Sequence, residues 1–261
     1  SIQRVLVKYG LDELIGSSHL LRPARLLFRL SPSGWRGSQL DQPRGVRIRL
    51  AIEELGPIFV KFGQSLSTRQ DLLPTDIGRE LTRLQDEVPP FPTEQALAEI
   101  ESSFGQPASQ LFASFEHEPL AAASIAQVHG ARLHSGDDVV VKILRPNVRE
   151  LVRRDLEVMY ALARLAERWW PESRRLRPVD IVAEYEKTIL NELDLVREAA
   201  NAAQLRRNWL GSPLIYVPQV YFDYCRKSVM VMERIHGIPI DDMEALTAAG
   251  VNIPRLAANG V

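Results

Sequence analysis

The sequence predicts an α+β chain: a helical front, then an antiparallel sheet of five strands broken up by helices. Three observations carry that prediction. Before residue 105, apolar residues recur at helical spacing between proline-rich breaks. Short alternating or β-branched runs then follow one another at 111–118, 125–133 and 138–144, joined by small-residue turns. Two long amphipathic segments, 147–170 and 178–209, come next, followed by two more strand-like runs at 216–222 and 228–233.

Composition supports a packed core. Hydrophobic residues make up 45% of the 261 positions and charged residues 25%, which excludes a disordered chain. The net charge of −1 hides an asymmetry: residues 1–50 hold nine Arg/Lys against three Asp/Glu. A basic leader on a mildly acidic body is suited to an anionic partner. A lone cysteine, Cys225, excludes an internal disulfide framework and reads as a small apolar filler. No apolar run approaches the ~20 residues that span a bilayer, and no secretory pattern opens the chain. The first residue is Ser and the last segment has no stop, so the chain reads as a piece of a longer protein.

The elements follow in order. Residues 2–30 read as two short amphipathic helices, the second with Arg22, Arg25 and Arg29 on one face and leucines opposite. That pattern suits a membrane-surface helix and an ordinary solvated helix equally. Residues 31–45, rich in Ser, Pro and Gly, are a linker. From 47 to 69, Ala51, Leu55, Ile58, Phe62 and Leu66 form an apolar stripe that Gly56-Pro57 should kink or restart. Lys61, Gln64 and Thr68 line a second, polar face. Residues 75–87 and 93–104 continue as helices around Pro89, Pro90 and Pro92, and a last helix begins near Asp241.

The usual nucleotide and hydrolase signatures are missing. No glycine precedes a lysine, there is no G-x-G-x-x-G, no H-E-x-x-H and no G-x-S-x-G. His129, on a strand, reads as a packed histidine. What remains is Lys142, one lysine among valines in a β-run, which is costly unless an anion meets it. Just upstream, a turn of Ala121, Ala122, Ala123 and Ser124 leaves room for a bulky ligand. Together these suggest a nucleotide phosphate site with alanines where a protein kinase carries glycines. An orienting carboxylate would come from the 178–209 helix, where Asp194 and Glu198 are four apart and share a face. Glu192 is turned away by about 160° if that helix is unbroken. Taken alone, those carboxylates also fit a solvated acidic face.

Lys61-Phe-Gly-Gln64, Ala121-Ala-Ala-Ser124, Val141-Lys142, and Glu192-Leu-Asp194 with Arg197-Glu198-Ala199 resemble the signature set of the UbiB family, the aarF-domain atypical kinases. The resemblance runs through essentially the whole chain. It implies a basic leader and linker at 1–45, a helical extension carrying K-x-G-Q at 46–109, a protein-kinase-like N-lobe at 110–235, and the start of a C-lobe at 236–261. It implies ATP or ADP with Mg²⁺ as cofactor. Lys142 would contact phosphate, with Glu198 as its ion-pair partner. Leu120, Ala121, Ala122, Ala123, Ser124, Ile125, Ala126, Gln127 and Val128 would cover the nucleotide, and Glu233 and Ile235 would flank the adenine hinge. Lys61 and Gln64 would fold over the pocket, Lys61 engaging Glu192 and Asp194 in a regulatory contact.

A kinase also needs an aspartate with a metal-binding asparagine five positions on, and a second metal-binding Asp motif. None of the thirteen aspartates here has that partner. In the family these residues lie on the C-lobe, and a C-terminal membrane segment likewise lies beyond this stretch, so no catalytic or metal residue is expected here and it should be inactive alone. The resemblance further implies a role in ubiquinone biosynthesis at the cytoplasmic face of a bacterial inner membrane. Partners would be anionic lipid and ubiquinone precursors or their biosynthetic enzymes, with no nucleic acid. The alternative is a nucleotide-switched accessory protein that binds lipid precursors or those enzymes.

Overall fold

The computed structural model describes residues 4–5, 8–10, 42–69, 73–84, 88–169 and 176–259. In chain order the elements are helices α1 (Arg44–Leu55), α2 (Pro57–Ser67), α3 (Thr75–Leu81), α4 (Thr93–Phe104) and the single-turn α5 (Ala108–Leu111). Strands β1 (Phe112–Ala122), β2 (Ala126–Leu133) and β3 (Asp138–Leu144) follow, then helices α6 (Val148–Trp169), α7 (Pro178–Glu192) and α8 (Leu195–Asn208). Strand β4 (Val229–Glu233) and helices α9 (Met243–Ala248) and α10 (Ile253–Asn259) complete the series. The chain divides into two compact units: Ser1–Phe91, Ala122–Gln127 and Leu144–Leu193 form one, and Pro92–Ala121, Val128–Ile143 and Asp194–Val261 the other.

The first unit is built on helices. Gly56, at φ 116°, turns the chain out of α1, and Pro57 opens α2, where its missing N–H costs nothing. This is the restart the Gly-Pro pair predicts. In α6 the buried residues Val148, Val152, Leu156, Met159 and Ala163 make one stripe, and α7 answers with Val182, Tyr185 and Ile189. The two helices pack on each other, and Tyr160 Oη donates to Glu186 at 2.5 Å. That bond to a carboxylate pushes the Tyr160 phenol up to about 12. Tyr185 ties α7 to α2: its hydroxyl donates to the Ile58 carbonyl at 2.9 Å and its ring meets Phe62 at 5.0 Å. Near the front, Val5 and Tyr9 pack on Ala51 of α1, and Tyr9 Oη donates to Glu54. The arginine face at 22, 25 and 29 lies outside the described residues.

The sheet has four strands in the order β1-β2-β3-β4, not five. The expected run at 216–222 reduces to a single bridge, Val220 to Met232, before the chain winds into a 3₁₀ turn at Phe222–Tyr224. Pro218 removes a ladder donor there, and the Gln219 N–H is taken by the Glu233 side chain instead. β3 and β4 pair antiparallel, with Val141 opposite Val231 and Lys142 opposite Met230. Along β3, Val139, Val141 and Ile143 are fully buried on one face and Lys142 stands on the other. Cys225 is buried as a filler, and burial pushes its thiol pKa up.

The second correction concerns 178–209. It is two helices, because α7 ends at Glu192 and Asp194 leaves helical geometry to cap α8, accepting the Val196 N–H at 3.2 Å. Leu195, fully buried, donates its N–H to the Lys227 carbonyl at 3.0 Å, and α8 packs on β4. Among the described residues no helix is long and apolar enough to cross a membrane.

His129 on β2 is fully buried, stacked on Phe115 at 4.8 Å, with Nδ1 2.8 Å from the Glu116 carbonyl. Burial pushes its pKa down, outweighing the pull of that carbonyl. The folded protein therefore keeps this histidine neutral to lower pH than the unfolded chain, which takes up a proton below about pH 6.5. Its contribution to stability should be complete at neutral pH and decline as pH falls from about 6.5 toward the lower folded value. Denaturant midpoints at two pH values bracketing that range should draw closer together in His129→Gln than in the wild type. An unchanged gap would contradict this assignment.

Candidate functional site

The second unit holds the lysine the sequence singles out. Lys142 Nζ donates to both oxygens of Glu198, at 2.6 and 2.8 Å. Glu198 sits in the first turn of α8, where the helix dipole favours a carboxylate. Its position follows from the break: with Asp194 spent as the cap, Glu198 is the acidic residue that α8 presents to β3. The side chains of Lys142 and Glu198 remain 25% and 37% exposed, so the pair stabilises the fold by about 1 kcal/mol at most. Holding a lysine amine on a strand by a two-oxygen grip does more for its direction than for stability.

Farther along the same unit, Glu233 is anchored by Tyr216 Oη, which lies 2.7 Å from each carboxylate oxygen, and by the Gln219 N–H at 3.0 Å. These bonds hold its carboxyl below the usual range. Ile235 is exposed just after β4. Between them, Arg234 donates its main-chain N–H to Asp138 and its guanidinium to Glu116 at 2.6 Å.

In the first unit the K-x-G-Q residues divide their work. Lys61 Nζ is 2.9 Å from Glu192, as an ion pair. Gln64 Nε2 donates to the Leu84 carbonyl at 3.1 Å. Gly63 makes room, since a β-carbon there would lie 2.5 Å from Leu84 Cδ1. Glu192 thus meets Lys61, while Asp194 serves as the helix cap.

The alanine turn also belongs to this unit from Ala122 to Gln127. Leu120 and Ala121, at the end of β1, are exposed, and Ala122, Ala123 and Val128 are half-buried. Ser124, Ile125, Ala126 and Gln127 are buried. Gln127 spends its amide on Phe91, accepting from the N–H at 2.9 Å and donating to the carbonyl at 3.3 Å. Ser124 Oγ, 1% exposed as a residue, has no hydrogen-bond partner among the described residues. An unmet buried hydroxyl costs about 1–3 kcal/mol, a cost that a ligand oxygen would relieve. Among the described residues, no three His, Cys, Asp or Glu side chains gather as a metal cage. Reasoning from the sequence missed Arg145, whose partners are main-chain carbonyls at 89 and 123.

A small antiparallel sheet whose third strand carries a lysine gripped by a helix glutamate defines a kinase-like N-lobe. Residues 83–261 match the model of the ABC1 atypical kinase-like domain. The chain belongs to this family, which includes the UbiB proteins. It is 57% identical over 262 residues to a probable protein kinase UbiB of Pseudomonas paraeruginosa, covering all of this chain and 49% of that protein. It is 56% identical to the similarly named protein of Marinobacter nauticus, over 98% of this chain and 47% of the relative. The chain spans about half the length of these curated relatives. Among solved structures it resembles Rv3197 of Mycobacterium tuberculosis, solved with erythromycin, at TM-score 0.52 and 30% identity, covering 78% of this chain and 50% of that one.

Gly63→Ala tests the packing half of the motif. Alanine gains roughly 1 kcal/mol of helix propensity, but pushing Leu84 aside in a filled core costs about 1–3 kcal/mol. The variant should unfold at slightly lower denaturant, and Gly63→Val at clearly lower. A Gly63→Ala protein more stable than the wild type would contradict the close approach.

Proposed function

We propose that this chain grips the nucleotide in an atypical kinase or ATPase that supports ubiquinone biosynthesis. The observation that carries the reading is the two-oxygen hold of Glu198 on Lys142. A lysine so oriented, on a strand downstream of a small-residue turn, suits the α- and β-phosphates of ATP or ADP. The orphan hydroxyl of Ser124 supports the same reading. ATP with Mg²⁺ would supply the transferable phosphoryl group. Lys142 would neutralise phosphate charge, Glu198 would keep that amine aimed, and the turn at 120–128 would exclude water. Metal ligands and the catalytic base would come from outside this chain. The kinase name of the relatives supports the reaction class, and their UbiB name supports the ubiquinone role.

On this reading the protein works at the cytoplasmic face of the inner membrane, with the basic leader against anionic lipid. Its partners there are ubiquinone precursors or the enzymes that modify them. A second reading, a nucleotide-driven switch without phosphoryl transfer, draws support from the Lys61–Glu192 pair and the Gln64 bond to Leu84. These engage the motif's polar groups with the protein itself and not with a substrate.

In the full-length protein, Lys142→Ala should abolish most ATPase activity and lower cellular ubiquinone in parallel. Ubiquinone maintained at the wild-type level while hydrolysis disappears would overturn the enzymatic reading in favour of the switch.

A further inference from the structure

The turn that would cover the nucleotide is made mostly of small residues. Alanine and serine side chains reach little beyond their own backbone, so apart from the Ala123 N–H bond to the Ala126 carbonyl at 2.8 Å the shape of 122–127 depends on longer side chains. In the first unit it is imposed by one arginine and one glutamine. Arg145 follows β3 directly, three residues after Lys142. Its main-chain N–H donates to the Ile125 carbonyl at 2.8 Å. Its Nε donates to the Ala123 carbonyl at 2.9 Å, and an outer nitrogen donates to the Pro89 carbonyl at 2.8 Å. The guanidinium also lies over the Phe91 ring, 5.3 Å from its centre.

Gln127 fastens the other end of the turn to the same short segment. Its side-chain amide lies against Phe91 as a neighbouring strand would, taking one bond from the N–H and giving one to the carbonyl. It is completely buried, so both bonds form away from water, where a lost partner is most costly. The segment they grip is stiff. Pro89, Pro90 and Pro92 flank Phe91, and proline fixes φ and lowers the entropy lost on ordering. Residues 89–91 therefore act as a strap, bound to the start of the turn through Arg145 and to its end through Gln127.

We propose that Arg145 and Gln127 are positioning residues that lock the turn at 122–127 against the strap at 89–91 and thereby set nucleotide affinity. This rests on the reading that the turn covers a nucleotide. The planar guanidinium fork is what the arrangement needs, because two carbonyls from distant segments must be met at once by one side chain. A lysine keeps the charge but lacks the planar fork that meets both here. The same stretch thus carries both the lysine directed at phosphate and the clamp that shapes the cover.

The test uses the full-length protein, fluorescent ATP and ADP analogues as probes, and amide exchange over 120–128. Wild type should bind and Lys142→Ala should not, which establishes the nucleotide reading separately from the clamp. Arg145→Lys should then bind about tenfold more weakly, since small misplacements at a site are expensive. Exchange in the turn should quicken while the overall melting temperature stays close to wild type. If Arg145→Lys does not fold, Gln127→Asn, which keeps the amide but shortens its reach, carries the same expectation. Wild-type affinity and exchange in a folded variant, alongside a dead Lys142→Ala, would overturn the clamp alone. Equal binding by wild type and Lys142→Ala, or no binding by either, would overturn the nucleotide reading and the clamp with it.

Discussion

A lysine in the middle of a valine strand has to be met by an anion, and the second unit is arranged to supply one. Pleating puts Val139, Val141 and Ile143 into the core and turns Lys142 to the opposite face. The glutamate that meets it cannot come from β4, whose residue opposite Lys142 is Met230. It comes from α8, and only because the chain stops being helical at Asp194 and begins a new helix at Leu195. The cap, the Leu195 bond to Lys227 and the packing of α8 on β4 fix where the first turn of that helix lies. The ion pair adds little to stability, so its geometry is better explained by the direction it gives the amine than by the energy it contributes.

The first unit solves a different problem with similar economy. Three residues of K-x-G-Q act on two neighbours: an ion pair to Glu192, a close approach to the Leu84 side chain, and a hydrogen bond to the Leu84 carbonyl. The glycine is there for packing, not for backbone freedom, since it sits inside α2 with ordinary helical geometry. Tyr185 then ties α2 to α7, the helix that carries Glu192. The motif thus reads as a device for docking one helix against its neighbours, with Lys61 left to choose a carboxylate.

Much of this was legible in the chain because periodicity reports burial. The helix at 147–170, the alternation in β3 and the Gly-Pro restart were all visible in the sequence, and each appears as expected. The 178–209 segment failed for a physical reason: apolar spacing continues across Leu193 and Leu195, which hides a break made by a single capping aspartate. The strand expected at 216–222 does not form because Pro218 removes a ladder donor from a run otherwise rich in β-branched and aromatic residues. The roles of Arg145 and Gln127 were not legible at all. Their partners are main-chain groups up to 56 residues away, and backbone carbonyls leave no mark in a sequence.

On the proposed reading, Glu198 aims Lys142 at a ligand. A double-mutant cycle on the full-length protein, Lys142→Met, Glu198→Gln and both together, read by nucleotide affinity, tests it most directly. If the two act as one device, each single variant should lose nearly as much affinity as the double, while unfolding free energies shift by no more than about 1 kcal/mol. Independent, additive losses, or full affinity in Glu198→Gln, would contradict the account.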